Sequence, residues 1–305
     1  QYKVLSQASV AGKSAFEKAS SVVINALNTA ASLALELSLL RGQYGFGIIE
    51  SIVDNTTNAD VTITADDWCT GLWYSLLGAY IDSMTGTTKN NTGTLYVTAV
   101  TPSTRTVRLE ASGTVANDLT VGDVLFAKGS HGTTPTDFAG LIMQAKNTSG
   151  TVLGLSATTY PSWAGNTYAA GGPVTWRILE EALHAPRSRA SETAAEGFIA
   201  LAGRAYGSLT SELQDQGRMP LDNANRSIKA GVKSASYQSH VLGDIELVYH
   251  PYVSDGNVLI LPKSEVKRVG AADLTFEIPG FSEKFMVLVA DSNAVEFQCL
   301  VDQTV

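Results

Sequence analysis

The sequence predicts an α+β protein built from two or three structural units. Residues 14–40 place apolar side chains at steps of three and four, as one face of a long helix does. Residues 85–130 and 235–302 instead alternate with a period of two and are divided by turn residues, which is typical of strands. A chain of 305 residues also exceeds the usual single-core domain.

The first helix has clear start and stop signals. Ser14 and Glu17 have the spacing that lets a hydroxyl and a carboxylate satisfy helix-end amides, so the helix should begin there. Gly42 should stop it, and we interpret GQYGFG at 42–47 as a helix stop because it lacks the order of a phosphate-binding turn. The helix has too few charge pairs for a coiled coil, so we expect it to lie as a spine along a sheet or another helix.

Several strands should follow the helix. Strands are expected at 47–52 and 61–65, and residues 85–130 read as a small β-barrel or β-tongue inserted into a larger domain, with a hairpin turning at Pro102. Short helices are expected at 137–146, 174–183 and 205–216, with Pro186 breaking the second; a strand is expected at 198–203 and an exposed loop at 217–231.

Charge and cysteine usage exclude several classes of protein. There are 21 basic and 29 acidic residues, a net charge of −8, which disfavours a dedicated nucleic-acid binder or a membrane-surface protein. No stretch reaches 18 uncharged apolar residues, so no membrane partner is expected. Cys69 and Cys299 form no CxxC pair and are interpreted as small buried apolar residues.

No motif predicts a catalytic, cofactor-binding or metal site. Ser264 and Lys267 have the spacing of serine acylases, but the companion motifs are absent. The adjacent carboxylates of Asp66 and Asp67 point apart on any regular backbone, so they are interpreted as caps of the following helical turn. The histidines lack the spacing of metal ligands, and His250 is expected to be a turn residue; they are His131, His184, His240 and His250.

One loop is unusual in its aromatic content. Within VLGLSATTYPSWAGNTYAAGG at 152–172, Tyr160, Pro161, Trp163 and Tyr168 lie among small polar residues. Loops are normally polar, so these four residues predict a connector that packs against another surface.

The order of elements resembles a tailed-phage major capsid protein of the Hong Kong 97 (HK97) type. The resemblance covers nearly the whole chain and rests on stretches that follow one another in sequence. These are ALELSLLRGQYGFGIIES at 34–51, TITADDWCTGLWYSLLGAYID at 62–82, GDVLFAKGS at 122–130, GTVLGLSATTYPSWAGNTY at 150–168, and PYVSDGNVLILPKSEVKRVGAADLTFEIPG at 251–280 followed by VEFQCLVDQTV.

The resemblance implies an HK97-like capsid fold with a spine helix, peripheral and axial domains and a small all-β insertion. Residues 1–13 would end an extended loop whose upstream arm lies before Gln1. Residues 14–84 would form the peripheral domain, 85–130 the insertion, and 131–305 the axial domain with strands returning to the periphery.

The function implied is that of a structural subunit, not an enzyme, that needs no cofactor. Subunits would form the hexamers and pentamers of an icosahedral head that encloses double-stranded DNA, assembled in the host bacterial cytoplasm and located in the virion. Implied partners are scaffolding protein, portal, maturation protease and decoration protein, with DNA contacted non-specifically.

Two site hypotheses follow from the resemblance. Tyr160, Pro161, Trp163 and Tyr168 would anchor the junction between the peripheral and axial domains. A polar loop with Arg218, Asp222 and Arg226 would face the centre of the capsomer.

Two alternatives remain open. An encapsulin-type nanocompartment shares this fold and would hold an enzyme as cargo; the 85–130 insertion and the expected upstream arm favour the phage shell. An enzyme with an unrecognised site is the other class, and it would need a pocket with converging titratable groups.

Overall fold

Two separately described units make up the computed structural model. Unit 1 combines both ends of the chain, residues 1–39 and 267–305, and unit 2 comprises residues 40–266. The structure describes residues 2–5, 13–55, 57–111, 119–189, 197–215, 234–263, 266–275, 286–288, 294–297 and 300–304. Helices and strands are mixed, as the predicted α+β class requires.

The elements have the following bounds. The helices are α1 (Lys13–Leu40), α2 (Thr70–Ser75), α3 (Leu141–Lys146), α4 (Trp176–Arg189) and α5 (Ala205–Asp215). The strands are β1 (Tyr2–Leu5), β2 (Gly47–Asp54), β3 (Asn58–Ile63), β4 (Tyr80–Thr85), β5 (Thr88–Lys89), β6 (Leu95–Thr101), β7 (Thr106–Ala111), β8 (Val124–Ala127), β9 (Thr151–Val152), β10 (Leu155–Ser156), β11 (Phe198–Ala202), β12 (Ser234–Ser239), β13 (Gly243–Tyr249), β14 (Val258–Pro262), β15 (Val269–Thr275), β16 (Met286–Leu288), β17 (Ala294–Phe297) and β18 (Leu300–Thr304).

Unit 1 joins the two ends of the chain by strand pairing. β1 runs antiparallel to β17, which also pairs with β16, and β15 pairs with β18. The same unit contains α1 up to Leu39, so the long helix predicted from residue 14 is confirmed. Unit 1 is therefore discontinuous in sequence, with unit 2 inserted between α1 and β15.

Helix α1 is exposed and nearly uncharged along its second half. By length and composition Ser21–Leu40 could span a membrane, with a mean hydropathy of 1.5, although it includes Asn, Ser, Thr and one Glu. Core helices of soluble proteins and N-terminal signal sequences meet the same criterion, so this helix alone does not assign a membrane.

The helix ends where predicted. Gly42 has φ +43°, and a Cβ at this position would lie 2.1 Å from the carbonyl oxygen of Phe138. Glycine is required there both for the left-handed backbone and for the close approach of the neighbouring chain.

Six antiparallel strands close into a barrel in unit 2. Neighbouring strands run in the order β2, β3, β7, β6, β4 and β8, and β8 pairs back with β2. Small barrels of this kind are filled by inward side chains that alternate with outward ones. The inward apolar side chains of these strands are at most 1% exposed, and they include Ala59, Val61, Ile63, Ile81, Leu95, Val97, Val107, Leu109 and Leu125.

The predicted boundary at residue 85 falls inside this barrel. The hairpin of β6 and β7 around Pro102 forms as expected, but β7 pairs with β3 and β8 pairs with both β2 and β4. Hydrogen bonding is continuous around the ring, so the all-β element begins at Gly47 rather than near 85. Alternation predicted most of these strands, although not β4, but it could not predict their partners.

Two buried carboxylates fasten the barrel where β4 meets β8. Asp123 accepts hydrogen bonds from Ser83 and Asn90, each at 2.7 Å, and from Thr85 and the amide of Thr120. Burial alone would raise the pKa of Asp123, but these hydrogen bonds outweigh it and lower the pKa.

Asp82 is the second of these carboxylates. It lies 2.7 Å from the Lys89 ammonium and accepts from the amide of Gly129 at 2.9 Å. Its pKa is also lowered: burial acts in the opposite direction, and the hydrogen bonds from Lys89 and Gly129 prevail.

A second layer of unit 2 packs α4 and α5 on a four-stranded mixed sheet. The strand order is β12, β13, β11, β14, with β11 parallel to β13. Trp176 is central to the core: its ring stacks on Tyr237 at 4.1 Å, and its Nε1 donates to the Leu209 carbonyl at 3.0 Å. The rest of this core is apolar, formed by Leu179, Leu183, Ala200, Ala202, Leu209, Ile245 and Leu247.

Two helix predictions in this region need correction. Helix α3 begins at Leu141 rather than 137, and α4 continues to Arg189 instead of breaking at Pro186. Proline removes one backbone donor, and near a helix end this costs few hydrogen bonds, so one further turn is retained.

Candidate functional site

The candidate site is a surface loop with no charged side chain. Residues 147–175, which we call the uncharged loop, contain no Asp, Glu, Lys, Arg or His. It contains the β9–β10 hairpin and a turn of 3-10 helix at Pro161–Trp163. A long surface segment without charge is unusual in a chain with a net charge of −8.

Exposed apolar side chains are concentrated in this loop. Five large ones are 40–59% exposed: Leu153 at 59%, Leu155 at 40%, Tyr160 at 54%, Trp163 at 40% and Tyr168 at 52%. Single exposed apolar residues are ordinary, but such a concentration marks an interaction surface.

The tip of the hairpin is strained. Val152 pairs with Leu155, which leaves Leu153 and Gly154 as a two-residue turn with φ of +52° and +79°. Positive φ at both central residues is the pattern of a type I′ turn, which favours Asn or Asp followed by Gly. A leucine there costs about 1–3 kcal/mol in backbone strain and also leaves its own side chain in water.

The body of the loop is held firmly. Val152 and Ala157 are buried, and the amide of Ala157 donates to the Gly150 carbonyl at 2.9 Å. The amide of Gly165 donates to the Asn147 carbonyl at 2.8 Å, and a Cβ on Gly165 would lie 2.2 Å from the Ala145 carbonyl oxygen. The loop is thus fixed against the end of α3, and its aromatic side chains project from a rigid base.

The predicted anchor residues all lie at the surface of the described chain. Tyr160, Pro161, Trp163 and Tyr168 are exposed, and Tyr168 makes one described side-chain contact, donating from its hydroxyl to Glu181 Oε2 at 3.2 Å. Side chains that anchored a junction within one subunit would be buried, and these four are exposed. The aromatic surface that the sequence indicated is present, but it faces outward.

A different cluster joins the barrel to the second layer of unit 2. Arg41 is fully buried and donates from Nε to the Tyr252 carbonyl at 3.2 Å and from Nη2 to Ser254 Oγ at 3.3 Å. Its Nη1 donates to the carbonyls of Gly45 and Phe46. One guanidinium therefore ties the entry to β2 to the segment that follows β13.

Acidic and aromatic groups complete this cluster. Asp67 is 2% exposed and accepts hydrogen bonds from the hydroxyls of Tyr44 and Thr64, with the Lys146 ammonium 3.6 Å away. Burial lowers the pKa of Arg41, opposed by nearby Cys69 and Asp67, whereas burial and the hydrogen bond to Asp67 raise the pKa of Tyr44. These groups neutralise one another inside the chain.

Asp66 and Asp67 were wrongly predicted to cap the next helix. The N-cap of α2 is Cys69, which makes no side-chain capping bond, and Asp255 accepts from the amide and hydroxyl of Thr70 at 3.3 and 2.8 Å. A carboxylate distant in sequence thus takes the capping role. The two aspartates do point apart, since Asp66 is exposed and Asp67 is buried.

Cys69 is buried, as predicted. Its thiol donates to the carbonyls of Pro251 and Val253 at 3.0 and 3.3 Å, and burial raises its pKa despite the nearby Arg41. A protonated, enclosed thiol is not a nucleophile. We call the group of Arg41, Tyr44, Asp67, Cys69, Thr70, Ser254 and Asp255 the junction cluster.

Several of the remaining residues singled out in the sequence lie beyond what the structure describes. Arg218, Asp222, Arg226, Ser264 and Cys299 lie outside the described residues. His250 lies in the turn after β13, as predicted, where its Nδ1 accepts from the amide of Tyr252. In the part of the chain that the structure describes, no three His, Cys, Asp or Glu side chains are grouped to hold a metal ion.

Comparison with known proteins gives no family assignment. No protein-family model matches the chain, and no curated protein matches it either.

Sequence reasoning missed the junction cluster. Its residues come from three distant segments around 41–46, 67–70 and 251–255, and no spacing rule links them. The available signal was the run ADDWCTG at 65–71, where two carboxylates, a tryptophan and a cysteine adjoin a predicted turn.

Proposed function

We propose that this chain is a shell-forming structural protein, the major capsid protein of a tailed-phage head with an HK97-like fold. The observation that carries the proposal is the discontinuous unit 1. Strands from both chain ends pair with each other, the same unit contains most of the long helix α1, and a large second unit is inserted between the two parts of the first. A long helix near the start and strands that return from the end of the chain support a spine helix with returning peripheral strands, although the second unit begins at residue 40 and not at the expected insertion.

The second unit supplies further support. The closed barrel starting at Gly47 suits the all-β insertion, although it is larger than expected, and the layer of α4, α5 and the mixed sheet suits an axial domain. The junction cluster makes unit 2 stiff between its barrel and its second layer. A shell subunit benefits from such stiffness because its contacts must recur at fixed angles.

The surface of the chain also suits repeated association. The uncharged loop displays apolar side chains on a rigid base, and the second half of α1 is exposed and carries one charged residue, Glu36. Each contact between shell subunits can be modest, because every subunit is held by several neighbours at once. A net charge of −8 suits a shell that encloses DNA without gripping it.

Negative-stain electron microscopy tests the proposal. The chain is expressed alone and together with candidate scaffolding-protein and protease genes, and the purified product is imaged. We expect closed polyhedral particles of uniform size. A small uniform oligomer under every condition would contradict a shell protein and direct the search to an enzyme pocket.

The contents of such particles separate the two kinds of shell. Particles isolated from the native source should contain nuclease-protected double-stranded DNA. Particles that instead enclose a single co-purifying enzyme would identify an encapsulin-type nanocompartment.

A further inference from the structure

The uncharged loop combines three features that a loop serving only its own subunit does not need. It exposes five large apolar side chains, it holds Leu153 in a left-handed backbone conformation, and it contains no charge. The left-handed backbone at Leu153 costs stability, and the exposed apolar side chains return none of it within the chain. Burial of these side chains against a partner would offset that cost.

The absence of charge restricts the partner. Nucleic acid is bound through Lys and Arg contacts to phosphates, and residues 147–175 offer neither. A basic partner would likewise find no carboxylate. A neutral patch on a chain with a net charge of −8 is where two copies can approach without like-charge repulsion.

The size of the patch fits one contact among several. Three aromatic side chains that are each about half exposed, with Leu153 and Leu155, offer on the order of 400 Å² of apolar surface. A stable dimer buries roughly 800 Å² on each partner, so the patch supplies about half of that share. Such a surface associates weakly alone and firmly when other contacts act with it.

We propose that the uncharged loop is a contact surface for a second copy of this chain, with Leu153 and Trp163 as its main apolar contacts. This inference rests on the proposed shell function and names one of the surfaces that would build it. The hydrogen bonds within the loop and the close approach of Gly165 to α3 present these side chains without a large loss of entropy on contact.

The test uses the full chain and two substitutions. Leu153→Asn supplies the residue that a type I′ turn favours while removing the apolar tip, and Trp163→Ser removes the exposed indole. Val53→Thr and Val121→Thr are matched controls, since these valines are 59% and 60% exposed outside the loop. Sedimentation velocity over a wide concentration range measures association, and thermal unfolding of dispersed subunits measures folding.

We expect Leu153→Asn to keep or raise the unfolding temperature of the dispersed subunit and yet raise the concentration needed for association about tenfold or more. Trp163→Ser should act in the same direction on association, and both control variants should behave as the wild type. Unchanged association of the two loop variants would overturn the proposal. A lowered unfolding temperature for Leu153→Asn would also overturn it, because Leu153 would then serve its own subunit.

Failure of this inference can be told apart from failure of the proposed function. If closed particles form equally well from the wild type and the loop variants, the shell function stands and the loop is not a contact surface. If the wild type forms only a small oligomer and the loop variants do not form it, the loop is a contact surface and the shell function is wrong.

Discussion

The junction cluster and the uncharged loop are opposite solutions to placing bulky side chains near a connection. The junction cluster buries charged and polar groups, and each acceptor or donor in it meets a partner within the chain. The uncharged loop exposes apolar groups and leaves their surfaces open. Buried polarity with every bond made fixes a unique geometry, whereas exposed apolarity on a rigid base indicates contact with another molecule.

The difference teaches that aromatic content does not locate a junction. The junction cluster contains one aromatic residue, Tyr44; its other members are an arginine, two aspartates, a serine, a threonine and a cysteine. The tryptophan in the predicted anchor is 40% exposed, whereas Trp73, in the short helix beside the junction cluster, is fully buried. Substitutions in the two regions should therefore act on different properties.

The largest contrast is between the two tryptophans. Trp73→Ala should lower the free energy of unfolding by about 3–5 kcal/mol because it empties a fully buried site that contacts Phe46. Trp163→Ala should cost less than about 1 kcal/mol in the dispersed subunit, because much of its ring is already in water. Urea unfolding followed by circular dichroism measures both. Equal losses would show that Trp163 anchors its own subunit.

The next effect concerns the guanidinium of the junction cluster. Arg41→Met should lower the free energy of unfolding by about 2–4 kcal/mol, since three buried acceptors and one partly buried acceptor lose their donor. The free energy of unfolding of Arg41→Lys should lie between those of the wild type and Arg41→Met, because one ammonium cannot reach all four acceptors. The control is Arg177→Met, whose side chain is 87% exposed and should have no measurable effect. If both arginine-to-methionine substitutions were neutral, the cluster would not hold the two layers together.

Acid should weaken unit 2 through its barrel carboxylates. The folded pKa values of Asp82 and Asp123 lie below their usual range, so their contribution to stability is complete above about pH 3.9 and is lost as the pH falls through the folded values. Asp123→Asn should lower the free energy of unfolding by about 1–3 kcal/mol near neutral pH. The stability of this variant should then decrease less steeply than that of the wild type below about pH 4.

Unfolding midpoints measured from pH 2.5 to 7 check this expectation. Asp66→Asn serves as the control because its side chain is exposed. If the stability of Asp123→Asn fell as steeply with decreasing pH as that of the wild type, Asp123 would not contribute to the acid sensitivity of unit 2.

The smallest effect is expected in the uncharged loop. Tyr168→Phe removes the hydroxyl that donates to Glu181 at the surface. The denaturation midpoint of the dispersed subunit should not change measurably, since surface hydrogen bonds exchange readily with water. A clear loss of stability would mean that the loop is braced against α4 more firmly than its exposure indicates.

Local periodicity predicted much of the fold. The α1 helix, the helix stop at Gly42, the β6–β7 hairpin and strand β11 all follow from residue spacing and turn residues. The pairing of the strands could not be predicted this way. The pairing of β8 with β2 joins residues about 75 positions apart, and the alternation of a strand does not indicate which strand it pairs with. The prediction of the α2 cap was wrong for the same reason, because the capping Asp255 is distant from the helix in sequence.

The candidate site was predicted by composition but not by orientation. The run of Tyr160, Pro161, Trp163 and Tyr168 marked the loop correctly as apolar. Whether such a group packs inward depends on the backbone that carries it, and here the hydrogen bonds at Asn147 and Gly150 hold the chain with its rings outward. The strain at Leu153 is visible only in the backbone, since its sequence context, VLGL, gives no warning.

Hydrogen exchange compared between assembled and dispersed chain tests the central claim most directly. Peptides covering 150–168 should exchange more slowly in the assembled chain than in the dispersed chain, whereas peptides covering 66–76 should exchange at the same rate in both states. Equal exchange at 150–168 in the two states would contradict the account, because the uncharged loop would then face solvent in the shell as it does in the single chain.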